Sequence, residues 1–290
     1  MLLRRLKGLN PFEAARAILK YKDATQDTAA ARIAAIRENA KAPEFVAFPE
    51  DPVNRMAEEL WYNDHAVAYL RGRGFEDETL RGFGVGYSSK KDMTVVPMHD
   101  PNGMLVGFIG RAIDDKVFKN TPNLPKSKTA WNFHRAKKYG DTVIVVESSF
   151  DAMRIHQAGF PNVVALLGGH FTEYHKEQLA RTFSKIIIMT DFDKLRYRPN
   201  CRKCAAFKEC QGHRAGRDLG RSIVNALPNK RILWAAYDDE CVFPHGAKDA
   251  GDLTDDEIRQ CLNNAVSNFT YSRWNIEEEE ACLGAQSVVQ

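Results

Sequence analysis

Lys185-Ile-Ile-Ile-Met-Thr-Asp-Phe-Asp193 is the stretch on which the reading of this chain turns. Its apolar run does not alternate with polar residues, as expected of a strand covered on both faces of a parallel sheet, and it ends in an Asp-x-Asp pair. Side chains along a strand alternate in direction, so Asp191 and Asp193 leave its end on the same side. Two hard oxygen donors held that way suit Mg²⁺. An Asp pair after a strand also serves as plain turn and cap chemistry. Two more acidic turns favour the metal: Thr142-Val-Ile-Val-Val-Glu147 upstream and Lys248-Asp-Ala-Gly-Asp252 downstream.

Around this stretch the text alternates strand and helix. Strands are expected at 142–147, 162–167, 185–190 and 230–236, with helices near 149–158, 172–182, 215–226 and 254–267. That order predicts an α/β fold, a largely parallel Rossmann-like sheet with helices on both faces. Sites in such sheets form outside the carboxyl ends of the strands, where Glu147 and the Asp pair lie. If strands 142–147 and 185–190 are neighbours, Glu147, Asp191, Asp193 and Asp249 share one small volume, with Asp151 one helical turn beyond Glu147. Like charges that close call for a cation, Mg²⁺ or Mn²⁺, which can orient phosphates during attack on phosphorus.

Upstream, residues 1–50 read as a helical arm, with Asn10-Pro11 opening one helix and a second running from Thr28 to Ala40. Residues 41–52 carry three prolines and read as a linker. Met93–Met98 and Met104–Ile109 flank an Asn102-Gly103 turn and predict a hairpin within an α+β region, 51–140. The α/β domain spans 141–270 with an insertion at 194–214, and 271–290 reads as a tail.

The 290 residues are 44% apolar and 27% charged with a net charge of +3, so contact with nucleic acid must come from local patches. No apolar run approaches the ~20 residues of a membrane span, and the amino terminus lacks a secretory signal, which predicts a cytoplasmic protein without a membrane partner.

Val146-Glu-Ser-Ser-Phe-Asp151 through Gly159, Ala165-Leu-Leu-Gly-Gly-His-Phe-Thr172 and Met189-Thr-Asp-Phe-Asp193 resemble the Toprim domain of bacterial DnaG-type primases. Ala215-Gly-Arg-Asp-Leu-Gly-Arg221 resembles the helix that follows the Asp-x-Asp in that family, and Lys248–Leu253 its last acidic motif. Tyr69–Phe75, Gly84–Tyr87, Gly107–Arg111, Lys116–Pro122 and Phe133–Arg135 resemble the primase amino-terminal subdomain, so the likeness runs from about 60 to 265. It implies that Glu147, Asp191 and Asp193 are catalytic, that Asp191, Asp193 and Asp249 hold metal with Glu147 and Asp151 contributing, and that the chain makes short RNA primers from NTPs on single-stranded DNA. Ser148 departs from the family's glycine.

Arg73, Arg111, Lys116, Lys119, Asn120, Arg135 and Lys137 are interleaved with aromatics such as Phe118 and Phe133. Cations for phosphates and rings for stacking are what single-stranded nucleic acid and nucleotides need. A solvated basic surface over ordinary core aromatics has the same composition; the resemblance favours nucleotide and template contact.

Cys201-x2-Cys204-x5-Cys210-x2-His213 falls directly behind the Asp pair and predicts a structural Zn²⁺ site. DnaG-type primases normally begin with a zinc-ribbon domain, yet residues 1–60 contain no cysteine. Either a separate zinc-ribbon subunit supplies template recognition, or the Cys insertion has taken over part of it, or the chain is not a full primase. The compact form suggests a phage or mobile-element protein, with a replicative helicase as a further expected partner. The alternatives are a Toprim nuclease and a non-catalytic nucleic-acid-binding replisome subunit.

Overall fold

A computed structural model describes residues 44–114, 117–198, 200–202, 210, 212–237 and 243–273. The helices expected before residue 41, Lys116, Cys204 and the end of the expected tail lie outside the described residues. The chain divides into two units, Met1–Glu44 and Phe45–Gln290; the second is described here.

Helix α1, Glu50–Leu60, opens inside the stretch expected to be a linker. Pro52 sits in its first turn, where a missing N–H is tolerated, and Glu50 and Asp51 favour the positive end of the helix. Helix α2, Asp64–Gly72, is capped by the Asn63 side chain, which accepts the Ala66 N–H at 2.8 Å. Helix α3, Asp77–Phe83, ends on Gly84 in the left-handed conformation.

An antiparallel sheet follows in the order β1 (Gly86–Ser88), β2 (Met93–His99), β3 (Leu105–Ala112) and β4 (Phe118–Asn120). The expected hairpin is β2–β3. Asp100 Oδ1 accepts the N–H groups of Asn102 and Met104 at 2.8 and 2.9 Å, which closes the turn.

After the short helix α4, Phe133–Ala136, the second sheet runs in the order β6-β5-β7-β8-β9. Strands β5 (Thr142–Val146), β6 (Val163–Ala165), β7 (Lys185–Ile188) and β8 (Arg231–Trp234) are parallel, as the alternation predicted. Helices α5 (Ser149–Gln157), α6 (Glu173–Thr182) and α7 (Ala215–Ala226) connect them. Side-chain alternation divides the core. Ile144 and Val146 of β5 pack with α5 and with the upstream elements, whereas Val143 and Val145 pack with α6 and α7.

The carboxyl-terminal part departs from expectation. Helix α8, Asp255–Asn263, stops at an Asn-Asn pair, and Val266–Ser267, expected to be helical, form β9, antiparallel to β8. The open edge of β8 has backbone groups to satisfy, and a β-branched residue suits that pairing. Tyr271, assigned by sequence to the tail, is buried and stacks on Trp234 with centroids 3.9 Å apart and planes 2° from parallel.

Candidate metal centre and basic face

Strands β5 and β7 are direct neighbours, with Val145 level with Ile188, so the condition for the acidic cluster is met. Glu147 and Asp191 emerge from the same carboxyl edge, and the Asp191 N–H donates to Glu147 Oε1 at 3.3 Å. Carboxylate oxygens of Glu147, Asp191 and Asp193 lie within 4.8 Å of one another. Asp193 Oδ2 accepts the N–H of Gly216 at 3.0 Å, in the first turn of α7, where the helix dipole favours a carboxylate. Gly216 fits because a Cβ there would overlap the Asp191 carbonyl oxygen.

Lys248 is the group that sequence reasoning passed over. Its Nζ donates to Asp191 Oδ2 at 2.6 Å and lies 3.6 Å from Asp193 Oδ1. The Phe192 N–H donates to the Lys248 carbonyl at 2.7 Å, which ties the two acidic loops together. The signal was present as a lysine directly before Asp249. Burial and the neighbouring Asp191 charge push the Glu147 carboxyl up to about 7. Burial raises Asp191 too, against the pull of Lys248. Lys248 rises despite its own burial, because Asp191, Asp193 and Asp249 surround it.

Asp151 and Asp249, expected in the same donor set, stand outside that trio. Asp151 is committed to helix α5: it forms a capping box with Ser148, whose Oγ donates to Asp151 Oδ2 at 2.5 Å. Ser148 is therefore a helix cap as well as a small residue beside Glu147. Asp249 caps the turn Ala250–Asp252, accepting the Gly251 N–H at 2.9 Å. The two carboxyls approach one another around Gly251, with Arg73 beside them. Burial raises both, with the Asp249 charge the next cause for Asp151 and the Asp252 charge the next for Asp249.

The upstream cations divide as well. Arg73, just past α2, and Arg111, on β3, lie 5.5 and 5.2 Å from the Phe150 ring of α5, so both flank the acidic edge. Among the described residues, the buried Nε of each has no hydrogen-bond partner. Lys119 and Asn120 are exposed on β4, beside Phe118, which is 56% exposed and lies 5.4 Å from Arg111. Arg135 and Lys137 go elsewhere. Arg135 sits 4.7 Å from the Phe83 ring and is partly buried, which lowers its pKa. Lys137 Nζ donates to the Pro101 carbonyl at 2.6 Å. Both come from the α4 region, so adjacency in sequence to Phe133 did not carry them to the acidic edge.

Within the insertion, Cys201, Cys210 and His213 offer ligand atoms within 4.8 Å of one another. Cys201 Sγ lies 2.7 Å from His213 Nε2.

Comparison with known proteins matches residues 141–195, the segment from β5 through the Asp pair, to the Toprim domain family. This segment is a Toprim domain. The chain is similar to the DNA primase of Clostridium acetobutylicum, at 29% identity over 45% of this chain and 29% of the relative, and to that of Helicobacter pylori strain J99, at 32% over 43% and 25%. The DNA primase of Thermotoga maritima matches at 26% over 53% and 35%. The chain thus spans about a quarter to a third of these relatives' length. Among solved structures, the Aquifex aeolicus primase (zinc-binding and RNA polymerase domains) superposes with a TM-score of 0.59 at 22% identity, covering 96% of this chain and 74% of that one. A DnaG primase catalytic domain bound to ssDNA gives 0.57 at 18%, covering 75% and 77%. These likenesses establish the fold of a primase catalytic core around the Toprim domain. Among the described residues, no helix is long and apolar enough to cross a membrane.

Proposed function

We propose that this chain is the catalytic core of a DNA primase, joining NTPs into short RNA primers on single-stranded DNA by nucleotidyl transfer. The observation that carries the reading is the pair Arg73 and Arg111, brought from the upstream elements to Phe150 beside the Toprim carboxylates, with buried Nε groups that lack partners among the described residues. An NTP offers the anionic oxygens that such guanidiniums recognise. A nuclease acting on a phosphodiester has no use for a triphosphate clamp.

The donor set fits a divalent cation. Glu147, Asp191 and Asp193 are all hard oxygen ligands, crowded enough that a lysine is drawn between two of them. Mg²⁺ or Mn²⁺ held there would neutralise triphosphate charge. Glu147 Oε2 is the oxygen left to accept the hydroxyl proton of the growing primer, since Oε1 takes the Asp191 N–H. Lys248 holds the Asp191 and Asp193 carboxylates in place between substrates. Phe118, Lys119 and Asn120 give β4 an exposed ring flanked by polar groups, on which a template base can stack. A replicative helicase is a partner this reading calls for.

The test is incubation of the full chain with single-stranded DNA, NTPs and Mg²⁺ or Mn²⁺. Short RNA products lost in Asp191→Ala are expected. DNA cleavage without NTP incorporation would point to the nuclease instead and overturn the primase reading.

A further inference from the structure

The chain leaves the Toprim sheet at Asp193 and re-enters it at α7. The detour is closed at its neck by a bridge in which Arg196 and His213 exchange backbone hydrogen bonds of 3.0 and 2.8 Å. Cys201 and Cys210 lie inside that neck, beside His213 of the bridge itself. We propose that these three side chains hold a Zn²⁺ ion, and that this second metal, acting through Asp218, fixes the first turn of α7 against Asp193.

Three observations carry it. The donors are two thiols and an imidazole, the soft and borderline ligands that select zinc over Mg²⁺. Their spread fits: ligands of a tetrahedral zinc are roughly 3.5 Å apart, given Zn–S of about 2.3 Å and Zn–N of about 2.0 Å, and these lie within 4.8 Å. Binding requires both thiols to give up their protons, after which the 2.7 Å contact between Cys201 Sγ and His213 Nε2 opens by under about 1 Å to that spacing. Finally, His213 turns its other nitrogen, Nδ1, toward Asp218 Oδ2 at 3.6 Å, an ion-pair distance that needs only a small closure to become the carboxylate–histidine hydrogen bond that orients a zinc-bound imidazole.

Asp218 belongs to the first turn of α7, and so does Gly216, whose N–H binds Asp193. One helical turn therefore spans the two sites. Gly212 supports the arrangement: at φ +90 it packs its backbone on the Leu195 side chain, where a Cβ would overlap, and delivers His213 to the neck.

The test uses the full chain and reads metal content, so it returns an answer whether or not the chain makes primers. One zinc per chain is expected by elemental analysis, lost in Cys201→Ser and Cys210→Ser and kept in Asp191→Ala and Cys261→Ala. Asp218→Asn is expected to keep the stoichiometry and weaken zinc affinity about ten-fold. Stripping zinc from the wild type with a chelator should weaken Mn²⁺ binding at the carboxylates, read by electron paramagnetic resonance, five-fold or more, and zinc re-addition should restore it with unchanged circular dichroism. A zinc-replete preparation without bound zinc, an iron–sulfur absorption band, or equal zinc in Cys201→Ser would overturn the site. Mn²⁺ affinity indifferent to zinc would overturn the coupling.

Discussion

Gly216 and Asp193 are joined by a 3.0 Å hydrogen bond across the insertion, so a candidate metal-binding carboxylate rests on the amino end of a helix that begins more than twenty residues later in the chain. The contact needs the helix backbone to press on the Asp191 carbonyl, and only a residue without a Cβ allows it. Gly216→Ala is expected to cost about 3 kcal/mol of stability through overpacking and to weaken Mn²⁺ binding as Asp193 loses its donor. Calorimetry together with Mn²⁺ titration checks this; wild-type affinity in the variant would show that the helix does not place Asp193.

The carboxyl trio makes stability depend on pH and metal together. Glu147 titrates near 7 in the folded chain, above its unfolded value of 4.5. Folded protein therefore keeps a proton that the unfolded chain releases: the stability tied to Glu147 is complete below about 4.5 and is lost as pH rises through about 7. Asp191, Asp151 and Asp249, raised mainly by burial, act in the same direction. His99, His134, His156 and His175 act oppositely, since burial depresses them, His134 to about 4. The informative quantity is thus the difference in Tm with and without Mg²⁺. It is expected to grow from pH 5.5 to 8 and to flatten in Glu147→Gln.

Arg73 and Arg111 are expected to act on nucleotide binding. Loss of a charged hydrogen-bond donor is worth about 1.5–3 kcal/mol, or roughly ten- to hundred-fold in affinity. Arg111→Ala should weaken NTP binding by that factor, measured by calorimetric titration, and leave Mn²⁺ affinity intact. Arg135→Ala, directed at Phe83, should leave NTP affinity within about two-fold and lower the Tm instead.

Arg154 is a structural counterpart to the candidate site residues. Buried in α5, it pairs with Asp255 at 2.7 Å and donates to the carbonyls of Gly74 and Leu253, joining the turn after α2, the last acidic loop and the start of α8. Arg154→Ala should destabilise by about 3 kcal/mol, because the partners stay behind without it. Urea unfolding measures this; a loss under about 1 kcal/mol would mean the ties are redundant.

The parallel core was legible because its strands carry runs such as Val143–Val146 and Ile186–Ile188, apolar on both faces, and its helices carry their caps in the text, as Thr172 and Thr254 do. The β9 strand was not, since two residues pairing with an open edge leave no period to read. Within the site, Glu147, Asp191 and Asp193 were legible from strand ends alone. That Asp151 and Asp249 stand apart depends on which turn each carboxylate caps, and the divergence of Arg135 from Arg111 depends on tertiary packing; neither is written in residue spacing. Lys248 was overlooked because a lysine beside aspartates reads as ordinary surface charge.

The Arg196–His213 bridge brings the two ends of the insertion side by side before any of its cysteines is reached. A detour whose entrance and exit are already stitched together places no length requirement on what lies beyond the stitch. The sheet and α7 meet the same boundary whether the excursion is long or short, because lengthening a surface loop adds only a slowly growing entropic term. At this junction, directly behind Asp193 in the chain, new recognition chemistry can be added or trimmed residue by residue while the carboxylates keep their geometry.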